Sequence, residues 1–432
     1  MATHVSRRLI QLSIAGILAG FSASSFASGF QLFEVNGAGT GDFYASGAAN
    51  ANDASAAFFN PAALVTMKNS QIQLSGVNIF SRINFTGRNT YTSFGTVTQT
   101  GSAQGGGYHF IPSIEAAGPF NDEIAWGFSV AVPFGLNTDY DNNSFLRYAA
   151  TETAVQVIDT SPSIGFKITD KLAFGIGFDA DRISATFNSV SGVPAFGPSL
   201  DTLSDNTGSG WGYGWHAGLL YQFTPGTRMG FEYRSPVSFN LSGTSSFTGS
   251  LAGGATLTND NLYVDTTLPA TSILSAYHQF NPQWAGEATL SYTQWSVFNC
   301  LILNNVQSTS PTAPITVNVP QKFRNTWRVA LGGTYQPFKQ WLFRAGLGWD
   351  ETPTIAAARS VRLPDGNRFV TALGAHYQAT KALGVDVGWT HLFFNNGAVS
   401  VTQQVGTSTS TTVGTAESSA DLVGLQLTWD FV

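Results

Sequence analysis

Charge is what this chain has least of. Asp, Glu, Lys and Arg together make up 11% of its 432 residues, against roughly 25% in an ordinary soluble protein, so a conventional wet surface cannot be covered. Long apolar runs are missing too. Beyond residue 27 no stretch approaches the roughly 20 consecutive apolar residues of a membrane-crossing helix, which excludes a helical membrane protein although hydrophobic residues reach 43%. Cys300 is the only cysteine, so no intramolecular disulfide can form. The net charge of −6 comes without a basic stripe, and nucleic acid is not an expected partner. Enzyme constellations are also missing: there is no Gly-x-Ser-x-Gly, no Walker-type loop and no His-x-x-x-His pair. Gly37-Ala38-Gly39-Thr40-Gly41 lacks the strand and helix that frame a phosphate loop. A barrel lipase would need a Ser-His pair on an outer wall, and His391, after Val385, Val387 and Trp389, reads better as an interfacial histidine. No catalytic residue, metal site or cofactor is expected.

What the chain does have is glycine (46 residues), aromatics (13%) and period-2 alternation. Trp126, Phe128, Val130, Val132 and Phe134 are large and apolar, and Gly127, Ser129, Ala131, Pro133 and Gly135 between them are small. The same rhythm runs through Trp327, Val329, Leu331 and Tyr335, through Trp341, Phe343, Leu347 and Trp349, and through the last residues, Val423, Leu425, Leu427, Trp429 and Phe431. Strands with lipid on one side and a lumen on the other have this pattern. A soluble β-sandwich would put charge on its exposed face.

Short polar breaks fall at Pro119-Phe120-Asn121-Asp122, Thr169-Asp170-Lys171, Thr224-Pro225-Gly226-Thr227, Asn281-Pro282-Gln283, Pro337-Phe338-Lys339-Gln340 and Thr380-Lys381. Seven longer connections rich in Gly, Ser, Thr and Asn centre near residues 95, 145, 200, 250, 310, 360 and 408. Alternating tight turns and long loops predict an all-β transmembrane antiparallel barrel of about fourteen strands, from near Ser70 to the C-terminus. Before it, Arg7 and Arg8, an apolar stretch from Leu9 to about Phe21 and Ser25-Phe26-Ala27 form a secretory signal cut after Ala27. The organisation is therefore signal 1–27, N-terminal hatch 28–68 and barrel 69–432, in the outer membrane of a Gram-negative bacterium.

Residues 28–68 do not alternate. A Gly-rich entry is followed by an Ala-rich, helix-compatible stretch from Ala48 to Phe59 and then by Asn60-Pro61-Ala62. Phe30, Leu32, Phe43, Phe58 and Phe59 suit a folded plug better than a disordered tail, and a fourteen-strand lumen is too wide for wall side chains to fill.

These residues resemble the FadL-type outer-membrane transporters of fatty acids and other hydrophobic compounds, including the TodX-like hydrocarbon transporters. The resemblance runs from Ser28 to Phe431. It rests on Gly29-Phe30-Gln31-Leu32, Asn52-Asp53-Ala54, Asn60-Pro61-Ala62, Pro133-Phe134-Gly135-Leu136, Gly212-Tyr213-Gly214-Trp215-His216-Ala217-Gly218, Tyr233-Arg234-Ser235, Trp284, Trp295, Arg344-Ala345-Gly346, Asp350-Glu351-Thr352-Pro353, and Leu363-Pro364-Asp365 with Arg368. It implies a fourteen-strand barrel with a hatch, ligand capture at external loops and passage out through a gap in the wall.

A carboxylate entering an apolar lumen needs a cation partner, and an Arg fork suits it. The resemblance puts Arg324 at a basic ligand-contacting position. A second such position is not matched, since Asn188-Ser189 stands there and Arg182 is the nearby cation. Pro133 cannot donate to a strand ladder and Gly135 permits a bend, so Val132-Pro133-Phe134-Gly135 is the expected kink and lateral gate in the third strand. Passive uptake of long-chain fatty acids is the leading reading, with uncharged hydrocarbons as the alternative. A general porin would instead show a charged constriction and no hatch. Expected partners are the hydrophobic ligand, the lipid bilayer and lipopolysaccharide, with the protein a monomer.

Overall fold

The computed structural model describes residues 29–51, 53–309 and 313–431; the signal and its cut after Ala27 lie outside the described residues, as does Asn52. Fourteen antiparallel strands form the wall. They are β1 (Ser70–Thr92), β2 (Tyr108–Pro119), β3 (Ile124–Asp139), β4 (Glu152–Lys167), β5 (Leu172–Phe187), β6 (Thr202–Thr224) and β7 (Thr227–Arg234) in the first half. The second half comprises β8 (Thr271–Gln279), β9 (Trp284–Thr293), β10 (Thr326–Phe338), β11 (Trp341–Asp350), β12 (Arg368–Gln378), β13 (Leu383–Phe394) and β14 (Ser408–Phe431). Each pairs with the next, and β14 pairs back onto β1 from Ser70 opposite Phe431 to Thr92 opposite Thr409, so the sheet closes without an edge.

All six expected tight turns and all seven long connections fall between these strands. Beyond the wall, several staves continue as separate pieces where Gly or Pro breaks the ladder. Thr96–Gln104 pairs with the far end of β1 and is cut from β2 by Gly105-Gly106-Gly107. Val237–Gly249 and Thr256–Leu268 form a hairpin set off by Pro236 and Pro269.

Alternation sorts the wall. Trp211, Tyr213, Trp215, Trp327, Val329, Leu331, Phe343, Leu347, Val423, Leu425, Leu427 and Trp429 are exposed on the outer face, where lipid replaces water. The third strand departs from its expected pattern. Between β3 and β4 the register jumps from Ala131 opposite Asp159 to Phe134 opposite Val157, so Val132 and Pro133 together face one residue. Such a bulge adds one residue and flips the side-chain alternation. Trp126 and Phe128 therefore point outward as expected, but Phe134 and Leu136 turn into the lumen and are buried.

The N-terminal segment packs against the inner wall. It is not one helix from Ala48 onward: a 3-10 turn at Gly47–Ala49 and a short α-helix at Ala56–Phe59 are separated at Asp53, whose side chain accepts from the Ser55 N–H at 2.8 Å. An aspartate that bonds the backbone two residues on favours a turn over a helix interior.

Candidate functional site

Inward-facing aliphatic positions of successive strands converge on an apolar cavity, the kind of concave, mostly apolar place where small molecules bind. Leu136, Val155, Ile183, Leu241, Leu262 and Val264 form its sides, and Phe30, Phe298 and Phe323 close one end. One cation interrupts this lining. Arg362 belongs to the long connection between β11 and β12, which folds inward and is tied to the rest of the protein by Thr138 Oγ1 donating to the Arg362 carbonyl (3.0 Å) and Tyr140 Oη donating to the Val361 carbonyl (2.8 Å). The Arg362 guanidinium lies 3.5 Å from the Phe187 ring centre. Its Nη1 donates to Thr153 Oγ1 at 2.7 Å and to the Glu152 carbonyl at 3.3 Å. Its Nε has no partner and it makes no ion pair among the described residues. Burial pushes its pKa down to about 9, the direction expected for a cation removed from water without a counter-ion. A carboxylate beside it would relieve that cost.

Phe30 forms the floor. Its ring meets Trp295 edge-on at 4.7 Å and Phe298 at 5.3 Å, with Phe134 at 6.0 Å. Gly29, held at φ 65° where a side chain would strain the backbone, donates its N–H to Asp365 Oδ2 at 3.1 Å. The same short segment completes the ladder of the kinked strand: Leu32 N donates to the Pro133 carbonyl (2.7 Å) and Gly135 N to the Phe30 carbonyl (2.8 Å), with Gln31 bridged to Phe134. On the far side of this bridge a second cavity is lined by Leu32, Phe33, Phe58, Pro133 and Phe134 together with Asp181, Glu232 and Arg234. Leu268 lines both cavities.

The β2–β3 ladder ends beside that bridge. β2 and β3 pair only from Ile114 opposite Val130 to Pro119 opposite Ala125. Past that point β2 from Tyr108 to Ser113 has no β3 partner. Pro112 sits on this unpaired stretch of β2 and Pro133 on the bulge of β3, so a residue without a backbone donor stands on each side of the break.

The rest of the N-terminal segment is anchored elsewhere. Three wall arginines donate to its carbonyls: Arg228 Nε to Ala49 (2.6 Å), Arg234 Nη2 to Phe58 (2.9 Å), and Arg328 to Phe43. Arg234 is in turn paired with Asp159 and Asp179, and His216 Nδ1 lies 2.7 Å from Asp179 Oδ1. Asn60 is the other anchor. Its Oδ1 accepts from the Ala62 N–H at 3.0 Å, while its Nδ2 donates to the carbonyls of Ala48 (2.6 Å) and Leu219 (3.0 Å). Gly175 and Gly218, facing each other across β5 and β6, leave the room: an added Cβ would stand 1.9 Å from Asn60 Oδ1 at Gly218 and 2.3 Å from Pro61 C at Gly175.

Two expected site residues lie away from the cavity. Arg182 is outward on β5, because Asp181 and Ile183 beside it are buried inward; it donates to Ser209 Oγ at 2.8 Å and lies 5.7 Å from the Trp211 ring. Arg324 is exposed two residues before the start of β10, its Nε donating to the Thr352 carbonyl at 3.2 Å. The cation the structure brings to the cavity is Arg362, directly before Leu363-Pro364-Asp365. Its signal in the sequence is a lone Arg between Val361 and Leu363, but a loop carries no alternation to say which way it points.

Residues 18–431 match the family described as outer membrane protein transport protein (OMPP1/FadL/TodX). The chain is 29% identical over 407 residues to the long-chain fatty acid transport protein of Salmonella typhi, covering 88% of this chain and 91% of that one. It is 28% identical over 463 residues to outer membrane protein P1 of Haemophilus influenzae, with 97% and 98% covered. A crystal structure of a Pseudomonas aeruginosa FadL homologue superposes with a TM-score of 0.83 at 27% identity, covering 94% of this chain and all of that one. The Ralstonia pickettii toluene transporter TbuX shares the fold at a TM-score of 0.66 and 20% identity, with 91% and 99% covered. A closed fourteen-strand wall, an apolar chamber within it and a family match over nearly the whole length agree: this chain belongs to the OMPP1/FadL/TodX family of outer-membrane transport proteins and is not an enzyme.

Proposed function

We propose that this protein carries long-chain acids with apolar tails across the outer membrane by diffusion, without a cofactor. External loops collect the ligand, the apolar cavity takes its tail, and Arg362 pairs with its carboxylate. Residues 29–68 act as the hatch. Displacing Phe30 and the Gln31–Phe134 bridge joins the cavity to the chamber beside Pro133, and the ligand then leaves sideways between β2 and β3. Leu32, Phe33, Phe58, Pro133 and Phe134 give the tail an apolar side to follow in that second chamber.

The observation that carries the acid over an uncharged hydrocarbon is Arg362, a buried guanidinium without a carboxylate partner among the described residues. A hydrogen bond to a charged group is worth about 1.5–3 kcal/mol, so Arg362→Ala should weaken binding of a long-chain acid by about tenfold to a hundredfold. Binding of an alkane of equal length should not change. Equal losses for acid and alkane would contradict the carboxylate role.

A further inference from the structure

Arg362 lines a second chamber as well as the apolar one. Outward of it, toward the long connections, lies a space of about 670 Å³ that shares Phe187, Asn206, Leu303 and Arg362 with the apolar cavity. Its lining is mixed, with Val190, Val306, Val317 and Val319 beside polar side chains. Gln403, Ser189 and Ser191 line it, and their side chains have no hydrogen-bond partner among the described residues. Tyr91 and Tyr148, stacked at 4.2 Å and 9°, close one side.

A simple fatty acid whose carboxylate meets Arg362 uses the apolar chamber and leaves these amide and hydroxyl groups unemployed. On the reading that Arg362 receives a carboxylate, we infer that the site prefers acyl chains whose head carries further hydrogen-bonding groups beyond the carboxylate, such as N-acyl amino acids. The acyl tail enters the apolar cavity, the amide and carboxylate sit at the waist beside Arg362, and the side-chain hydroxyl, which branches from the carbon between them, reaches the outward chamber, where it can both donate and accept. A net hydrogen bond contributes about 0.5–1.5 kcal/mol, so two new ones give a preference of about tenfold or more.

The test uses the full mature protein in lipid nanodiscs and two probes of one tail length, dodecanoic acid and N-dodecanoyl-serine, each displacing a fluorescent acyl ligand. The wild type should bind the acyl-serine about tenfold more tightly. The triple variant Ser189→Ala, Ser191→Ala, Gln403→Leu should lose that advantage and keep its affinity for dodecanoic acid, and Arg362→Ala should weaken both probes. Equal wild-type affinities, or an advantage that survives the triple variant, would overturn the inference while leaving the carboxylate role intact. Binding of both probes unaffected by Arg362→Ala would instead overturn the underlying reading. Should the triple variant not form a heat-modifiable barrel, the wild-type comparison of the two probes decides.

Discussion

Two seams of the same wall differ sharply. Where the chain closes on itself, β1 and β14 pair without interruption from Ser70–Phe431 to Thr92–Thr409. Two strands further round, β2 and β3 separate after Ile114–Val130. Both seams carry apolar residues at alternate positions, so that rhythm does not distinguish them. Proline does: β1 and β14 contain none, whereas Pro112 and Pro133 flank the break. An unpaired backbone group in lipid costs several kcal/mol, so a gap survives only where something else supplies the bonds. Here the N-terminal segment does so, through Leu32 to Pro133 and Gly135 to Phe30. One segment thus both completes the weak seam and floors the cavity, so on the proposed route displacing the floor also frees the wall.

The largest effect should come from making the weak seam like the strong one. Replacing Pro133 with Val and Gly135 with Thr restores strand-favouring residues and should reduce uptake of a radiolabelled long-chain acid by about tenfold or more while heat-modifiable migration of the barrel is kept. Wild-type uptake by a well-inserted variant would remove the lateral route. A smaller effect is expected from loosening the other anchor. Asn60→Ala with Pro61→Ala removes the side-chain bonds to Ala62, Ala48 and Leu219, which are worth about 0.5–1.5 kcal/mol each, so uptake should fall several-fold with the wall intact. Limited proteolysis should cut the variant near residues 50–66 faster than wild type; unchanged cleavage and uptake would make this turn a passive spacer. The smallest effect belongs to Arg182→Ala. An outward guanidinium beside Trp211 should leave acid uptake within about twofold of wild type, and a loss as large as that of Arg362→Ala would mean that the ligand path runs along the outside of β5.

The wall was readable in the sequence because period-2 alternation and turn residues are local signals. Six tight turns, from Pro119-Phe120-Asn121-Asp122 to Thr380-Lys381, divide the strands where the structure does, and the role of Asn60 in bonding its own turn follows from its side chain and the proline after it. Pro133 announced an irregularity. Its consequence for Phe134 did not show, because a bulge reverses the alternation from which the lipid-facing set was read. The lumen was less legible for a related reason. Arg182 is the cation nearest in sequence to Asn188-Ser189, and inward or outward orientation depends on parity, not nearness. Arg362 lies in a loop whose inward fold depends on contacts such as Tyr140 with Val361, more than two hundred residues apart in the sequence. Arg234, met at first only as part of Tyr233-Arg234-Ser235, became intelligible once its partners Asp159, Asp179 and the Phe58 carbonyl were together.

The central claim is that ligand leaves through the wall beside β3 and does not continue straight down the lumen. A straight path would cross the polar chamber below the N-terminal segment, lined by Asp42, Tyr44, Arg228, Glu287 and Arg344. A long-chain acid bearing a photoreactive diazirine near its tail, taken up by intact cells and cross-linked by a light flash, distinguishes the two routes by mass spectrometry of the adducts. The account expects adducts on the cavity wall, on Phe30 and Phe134, and on the rim residues between Tyr108 and Ser113. Adducts on Asp42, Tyr44 or Glu287, with none at the β2–β3 rim, would contradict it.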